Sequence, residues 1–294
     1  MPDPDVTRVE VAGRKLKLTS LDKLLYPATE TTKGEVLNYY ARVAEVLLPH
    51  LADRAVTRVR WPHGVEGPSF FEKNLPSGAP SWLESVVVDG VRFPLVSDLA
   101  DLTYLVNLNS IELHVHQWTV ADDEPQPPNR MVIDLDPGQG AGLHECARVA
   151  LMVRDRLSGL GLVTYPVTSG SKGMQLYAGL PGDLDSETVK DMAMQLAQEL
   201  TKRHPDLVVL KMTKSLRPGK VFIDWSQNTF HKTTVCPYSL RGKEIPTVAA
   251  PRTWDEVEVG ADGGKFEQLG FEDVLDRVER DGDLLAPLFE TEGR

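Results

Sequence analysis

Apolar positions recur at helical spacing in three stretches of the chain. Val36, Leu37, Tyr40, Val43, Ala44 and Leu47 form one stripe, and Thr32 with Glu35 stand before it at capping-box spacing. This pattern predicts an amphipathic helix that starts after Thr32 and ends at Pro49. Two further helices are predicted over residues 143–157 and 187–204. The second of these carries Val189, Met192, Leu196 and Leu200 on one face and is stopped by Pro205. Short apolar runs of strand character lie at 85–88, 111–118, 131–135, 162–167, 174–177, 207–212 and 221–225. Strands and helices are interleaved, so the class is α/β or α+β.

With 294 residues, 41% of them hydrophobic, the chain can bury a full core as one large domain or two joined lobes. Pro125-Gln-Pro-Pro, inside the polar stretch 122–130, is the best candidate for a turn between lobes. The organisation expected is a single domain of three parts: an N-terminal lobe over 1–125, a catalytic half over 126–250 and an acidic C-terminal cap over 251–294. No internal repeat or low-complexity tract interrupts it. No apolar run reaches membrane-span length, and the start, Met1-Pro-Asp-Pro-Asp, is acidic where a secretory signal is basic and then apolar. A cytoplasmic location without membrane contact is expected. Cys146 and Cys236 belong to no C-x-x-C pair and read as buried thiols.

The net charge of −11 argues against a general polyanion binder, but its distribution alters that picture. Residues 202–243 carry nine Lys/Arg against two Asp/Glu, whereas 244–294 carry fourteen acids against five bases. The basic segment is either a solvated surface balanced by its acidic neighbour or a phosphate-binding element.

In Met131-Val-Ile-Asp-Leu-Asp-Pro-Gly, Asp134 and Asp136 stand two residues apart at the end of an apolar strand, so both project from one face. Adjacent carboxylates repel unless a cation lies between them, and magnesium or manganese is the natural neutraliser. The alternative is a pair of solvated strand-end acids. Asp224 interrupts the buried-looking run Val221-Phe-Ile-Asp-Trp. Its charge is met either by a metal shared with Asp134 and Asp136 or by pairing with Lys214, Arg217 or Lys220. Three carboxylates around two divalent ions suit phosphoryl transfer, in a polymerase as in a phosphatase or nuclease.

Val167-Thr-Ser-Gly-Ser-Lys-Gly joins two short strands. It reads either as a backbone nest for an anion, with Ser169 and Lys172 as contacts, or as a plain hairpin turn, and it is not a Walker loop. His114 and His116 alternate in Glu112-Leu-His-Val-His-Gln-Trp. They are surface histidines, half of a zinc site that lacks a third ligand, or donors to phosphate. Arg241 offers a guanidinium fork for phosphate or is a surface residue. Near the N-terminus, Lys23 and Lys33 flank Leu24-Leu-Tyr-Pro, while Arg58, Arg60 and Lys73 surround Trp61 and Phe70-Phe71. Aromatics among cations suit base stacking and backbone neutralisation, although core aromatics with solvated lysines give the same pattern. Since adjacent strand residues point opposite ways, at least one of Phe70 and Phe71 is expected to be exposed.

Taken in order, Asp22-Lys-Leu-Leu-Tyr-Pro, Trp61-Pro, Phe70-Phe-Glu-Lys, His114-Val-His-Gln-Trp, Asp134-Leu-Asp-Pro-Gly, Ser169-Gly-Ser-Lys-Gly, Lys214-Ser-Leu-Arg, Val221-Phe-Ile-Asp-Trp-Ser-Gln-Asn and Ala249-Ala-Pro-Arg-Thr-Trp span nearly the whole chain. In these motifs the chain resembles the polymerase domains of bacterial non-homologous end-joining DNA ligases, within the archaeo-eukaryotic primase superfamily. The resemblance implies a primase-polymerase core of two sheets flanked by helices, with an RNA-recognition-like half. It implies Asp134, Asp136 and Asp224 as the catalytic, metal-binding triad for two ions, manganese in preference to magnesium. His114, Ser169, Lys172 and Arg241 would contact the triphosphate of the incoming nucleotide, a ribonucleotide before a deoxyribonucleotide. Lys23 and Lys33 would hold the 5′-phosphate beyond a gap or break, Phe70 and Phe71 would contact template or incoming base, and the basic loop 214–220 would help align two ends.

No ligase or phosphoesterase module accompanies these motifs within the sequence, so a stand-alone bacterial repair polymerase associated with the nucleoid is expected, filling short gaps in excision repair as readily as joining ends. Its expected partners are gapped or broken DNA carrying a 5′-phosphate, NTP or dNTP, the Ku end-binding protein and a separate DNA ligase. The other readings are a primase that starts chains de novo, a non-catalytic end-bridging module and a two-metal phosphatase or nuclease. Paired carboxylates, which repel DNA, argue against the bridging module.

Overall fold

The capping box at Thr32 forms in the structure, a computed structural model that describes residues 5–293. Thr32 Oγ1 accepts from the Glu35 amide at 3.2 Å, and Glu35 returns a carboxylate oxygen to the Thr32 amide at 2.7 Å. The helix it opens, α1 (Lys33–Leu51), runs through Pro49 instead of ending there. Proline deletes one amide donor, but here it stands in the last turn, where His50 and Leu51 are fully buried and the Ala52 amide still reaches Leu48 O at 2.9 Å. Burial holds the last turn against the lost bond. The remaining helices are α2 (Leu99–Asn107), α3 (Leu143–Ser158), α4 (Ser186–Arg203), α5 (Trp254–Ala261) and α6 (Phe271–Asp281), so the helices predicted over 143–157 and 187–204 form to within a residue at each end. The first four residues of the acidic start lie outside the described residues.

Two sheets carry these helices. A six-stranded sheet runs in the order Val208–Val209, Val221–Asp224, Arg130–Pro137, Met174–Gly179, Thr164–Thr168, Ala250–Pro251. All its pairings are antiparallel except the first, which is parallel. A four-stranded antiparallel sheet runs Thr234–Val235, Ser110–Val115, Val56–Arg60, Phe70–Glu72. The mixed α/β class and the two flanked sheets agree with the sequence reading.

Each sheet builds its own core. The period-two alternation of the strand Arg130–Pro137 puts Met131, Ile133 and Leu135 into an apolar cluster with Val149 and Val153 of α3, Leu196 of α4 and Val257 of α5. Val132 faces the other way, into a small cluster with Tyr177, Val235 and Leu288. Asp134 and Asp136 therefore share the face away from α3 and α4. The second large cluster joins Val36, Tyr40 and Leu47 of α1 and Leu102 of α2 to Val59 and Leu113 of the four-stranded sheet and Val274 of α6. Cys236, Tyr238, Leu240 and Val248 also enter it, so the stretch 236–250 returns from the six-stranded sheet to pack with residues from the start of the chain. Both cysteines are free and buried.

Three further predicted elements differ. The strand expected over 111–118 stops at Val115, and Trp118–Ala121 begins a separate hairpin. The run expected over 207–212 supplies only Val208–Val209. Pro125-Gln-Pro-Pro is not a turn between lobes. It is the second strand of that hairpin, Glu124–Pro128, paired with Trp118–Ala121 through an irregular register. A two-stranded hairpin tolerates proline because a strand edge there needs no amide donor.

The acidic C-terminal segment is tied down by charge. Glu256 accepts from Arg252 Nε at 3.1 Å and Nη2 at 2.9 Å, and from Arg277 Nη1 at 2.9 Å and Nη2 at 2.8 Å. Burial alone would raise its pKa, but the bonds from Arg252, Arg277 and the Thr253 amide hold it at about 2. A depressed carboxylate contributes stability that is present above its ordinary range and lost as pH falls through the folded value. Glu256→Gln should cost about 1–3 kcal/mol at neutral pH. In urea titrations the difference from wild type should shrink as pH falls from 5 towards 2, and a pH-independent difference would show that packing, not charge, is responsible.

Candidate active site

The strand Arg130–Pro137 lies between the strands Val221–Asp224 and Met174–Gly179, and this register fixes the centre of the site. Asp134 stands directly opposite Asp224 on one side and Gln175 on the other, with Asp136 two residues further along the same face. Asp134 is 8% exposed and Asp224 9%, while Asp136 reaches the exposed rim. Burial first, and then the charges of Asp136 and Asp224, push the Asp134 carboxyl well above the usual carboxylate range; Asp136 is raised by burial and by Asp224.

Protein donors currently meet these acids. Gln227 Nε2 donates to Asp134 at 3.2 Å, the Ser226 amide and hydroxyl donate to Asp224, and Lys232 Nζ donates to Asp224 at 3.1 Å. The ion-pair partner of Asp224 is thus Lys232 and not Lys214, Arg217 or Lys220. Arg217 lies over the Phe222 ring at 3.6 Å, and Lys220 donates to Pro205 O at 2.6 Å. With the carboxylates turned to these donors, no three His, Cys, Asp or Glu side chains among the described residues stand as a ready ligand set. The donor set itself fits a hard divalent cation, since charge on the buried Asp134 is opposed by its two acidic neighbours and a dication would relieve that opposition.

Asp134 and Asp136 open onto a cleft of about 320 Å³ that also takes in His114, Ser169, Lys172, Gln175, Arg217, Gln227 and Arg241. Four residues singled out for phosphate contact thus share one cleft with two of the acids, and the third acid adjoins them through the strand register. A larger hollow of about 520 Å³ lies elsewhere, beside Arg54, Asn129 and Glu292, and holds none of the predicted site residues.

The loop carrying Ser169 and Lys172 is a hairpin turn with Gly170 at φ +66°. Three of its amides are already engaged: Ser169 donates to Gly173 O at 3.0 Å, Gly170 to Gln268 at 2.7 Å, and Ser171 to Ser169 Oγ at 3.3 Å. The loop therefore presents side chains to the cleft, the exposed Lys172 among them, and not a nest of three consecutive N–H groups. The two histidines part company because the strand ends at Val115. His114 faces the cleft, whereas His116 is buried, stacked on Trp118 at 4.3 Å with Nδ1 3.2 Å from Ala55 O. A shared zinc site is thereby ruled out by geometry.

Sequence reasoning passed over Glu112. Its carboxylate is 2.8 Å from His114 Nε2 and accepts from Arg241 Nε at 3.1 Å and the Gly242 amide at 2.9 Å. Burial opposes its charge, but His114, Arg241 and Gly242 hold its pKa at about 2. The available signal was an acid two residues before His114 in an otherwise apolar strand. Lys232 had no such signal.

The other predicted residues lie outside the cleft. Phe70 and Phe71 are both exposed, at 49% and 57%, on the edge strand of the four-stranded sheet, and Phe71 meets the His114 ring edge-on at 6.1 Å. Lys23 and Lys33 come together where the Lys33 amide donates to Lys23 O at 2.8 Å. Lys33 Nζ donates to Thr19 O at 2.7 Å and Thr19 Oγ1 at 3.2 Å, and Lys23 Nζ donates to Pro62 O. An ammonium has three N–H groups, so each lysine keeps at least one for a further acceptor. Burial, and then the Lys23 charge, lower the Lys33 pKa to about 8.

The fold is that of a nucleotidyltransferase domain of the primase-polymerase type. Residues 32–285 match the family described as LigD, primase-polymerase domain, and the chain belongs to that family. It is 49% identical over 278 residues to the multifunctional non-homologous end joining protein LigD of Mycolicibacterium smegmatis, covering 93% of this chain and 36% of that protein. With the bifunctional non-homologous end joining protein LigD of Bacillus subtilis the identity is 34% over 277 residues, covering 94% and 44%. The chain thus spans less than half the length of these relatives. The polymerase domain of Mycobacterium tuberculosis Ligase D, solved in complex with DNA, superposes with a TM-score of 0.90 at 48% identity, covering 94% of this chain and 99% of that one. Among the described residues no helix is long and apolar enough to cross a membrane.

Arg241 owes its placement in part to Gly242, where an added Cβ would stand 2.1 Å from the Trp61 ring. Trp61 is 7% exposed and cannot move aside freely. Gly242→Ala should destabilise the fold by about 1–3 kcal/mol. Denaturant unfolding measures this, and an unchanged midpoint would show that the ring yields without cost.

Proposed function

We propose that the chain, folded as a single domain, is a template-dependent polymerase that fills short gaps or breaks, extending a primer 3′-hydroxyl with ribonucleotides in preference to deoxyribonucleotides. The observation that carries this reading is one cleft that gathers paired carboxylates and four candidate phosphate contacts, with Lys23 and Lys33 side by side outside it. In this reading Asp134, Asp136 and Asp224 hold two manganese or magnesium ions, which supply activation of the 3′-hydroxyl and charge for the leaving pyrophosphate. His114, Ser169, Lys172 and Arg241 bind the triphosphate and fix its orientation. Phe70 and Phe71, both solvent-facing, stack on template or incoming base. Lys23 and Lys33 anchor the 5′-phosphate across the gap with their remaining N–H groups. In this reading the substrate is broken or gapped DNA, in end joining, for which the relatives are named, or in excision-repair gap filling, with Ku and a separate DNA ligase as proposed partners in a bacterial cytoplasm.

The test is extension of a labelled primer on a short-gapped duplex, with and without the downstream 5′-phosphate, using manganese and either ribo- or deoxyribonucleotides. Phosphate-stimulated extension, stronger with ribonucleotides, is expected. Dinucleotide synthesis on bare template would instead identify a de novo primase, and phosphate-dependent DNA retention without extension an end-bridging module. Asp134→Ala should reduce incorporation to background while DNA binding persists, and continued synthesis would remove the triad from the mechanism.

Lys33→Ala should weaken the preference for a phosphorylated gap about tenfold, the loss of one charge-assisted hydrogen bond. A pH effect accompanies it. With Lys33 at about 8 in the free protein, the ammonium form is present below that value and lost as pH rises through it, so the preference should fall across that value towards the level of Lys33→Ala. Persistence of the preference at pH 9.5 in about undiminished form would return Lys33 to a structural role.

A further inference from the structure

Arg241 is held on several sides. Its amide donates to Thr247 O at 2.9 Å, its carbonyl accepts from Tyr26 OH at 2.8 Å, and its Nη1 donates to Ser169 O at 2.6 Å. Its Nε and the following amide, that of Gly242, both donate to one oxygen of Glu112. The second Glu112 oxygen lies against His114 Nε2. Only Nη2 of the guanidinium is without a partner among the described residues, in the cleft that also holds Asp134 and Asp136.

A mobile arginine next to acids collapses onto them, because opposite charges in a partly desolvated cleft attract strongly. Here the attraction is met by a buried carboxylate on the far side. We infer that Glu112 is a positioning residue for the incoming nucleotide: it fixes Arg241 and His114 as one unit facing the triphosphate and keeps Arg241 off the acidic side of the cleft. The inference rests on the proposed role of Arg241 and His114 in triphosphate binding. Glu112 itself touches no substrate. It is 6% exposed, and both its oxygens are occupied by the two groups it orients and the Gly242 amide. A guanidinium already fixed in place loses less entropy when a phosphate arrives, so the benefit appears as nucleotide affinity.

The experiment is a double-mutant cycle on single-nucleotide incorporation into a gapped duplex, measuring kcat and the nucleotide KM for wild type, Glu112→Gln, Arg241→Ala and the double variant. Glu112→Gln keeps the shape of the side chain and removes its charge. It should raise the nucleotide KM about tenfold, the scale of one charge-assisted hydrogen bond, with kcat little changed and gapped-DNA affinity unaltered. In the double variant the two effects should combine to less than their product, because most of the action of Glu112 passes through Arg241 and the remainder through His114. An unchanged KM in Glu112→Gln, or effects that add in the double variant, would overturn the inference while leaving Arg241 as a triphosphate contact. A normal KM in Arg241→Ala would instead overturn the proposed nucleotide site, and Glu112 with it. Should Glu112→Gln fail to fold, Glu112→Asp, which withdraws the charge by one methylene, carries the same expectation.

Discussion

Asp134 and Asp224 are direct cross-strand neighbours, and both are almost fully buried. Like charges in that relation destabilise a sheet unless something meets them. The surrounding structure is arranged to do so. A 3-10 turn follows Asp224 at once, bringing the Ser226 amide and hydroxyl back onto its carboxylate, and Gln227 of the same turn reaches Asp134. Lys232 adds a formal charge. None of these donors is a fixed guanidinium fork, so each can give way when a cation takes its place on the carboxylates.

The stronger cations near the cleft are each kept in check. Arg217 is laid over Phe222, and Arg241 is bound to Glu112 and Ser169. Were either to pair bidentately with an aspartate, the acids would be neutralised by protein and closed to metal. The cleft is thus divided into an acidic floor and a cationic wall, held apart by partners on the far side of each arginine. The proposed binding of a triphosphate between the two sides relies on this division.

The same constraint explains why the chain crosses between the sheets. The strand Thr234–Val235 pairs with the strand that carries Glu112 and His114, and residues 236–250 then pack in the α1 core before Ala250–Pro251 rejoins the six-stranded sheet. Tyr238 takes a left-handed backbone at φ +67° on this path, a conformation unusual for a bulky residue, and its hydroxyl is fastened to Asp283 at 2.6 Å. Arg241 is delivered to the cleft by a segment anchored in the opposite half of the molecule. The acids come from one sheet and the histidine from the other, so the cleft exists only where the two meet.

Local periodicity fixed much of this in advance. The stripe from Val36 to Leu47 with its capping box, the alternation that exposes Asp134 and Asp136 on one face, and the motifs that place the chain in its family are all properties of neighbouring residues, and they survive folding because backbone geometry is repetitive. What depended on residues distant in the chain was not legible. The register that sets Asp224 against Asp134, the choice of Lys232 over nearer cations and the Glu112–Arg241 bond across 129 positions follow from strand pairing and packing, which spacing does not encode. The same limit hid the engaged amides of the Ser169 loop, since Gln268 comes from far along the chain. Sequence thus determined which side chains are available to the cleft; only the tertiary structure decided which of them are free to act and which are spent holding the others in place.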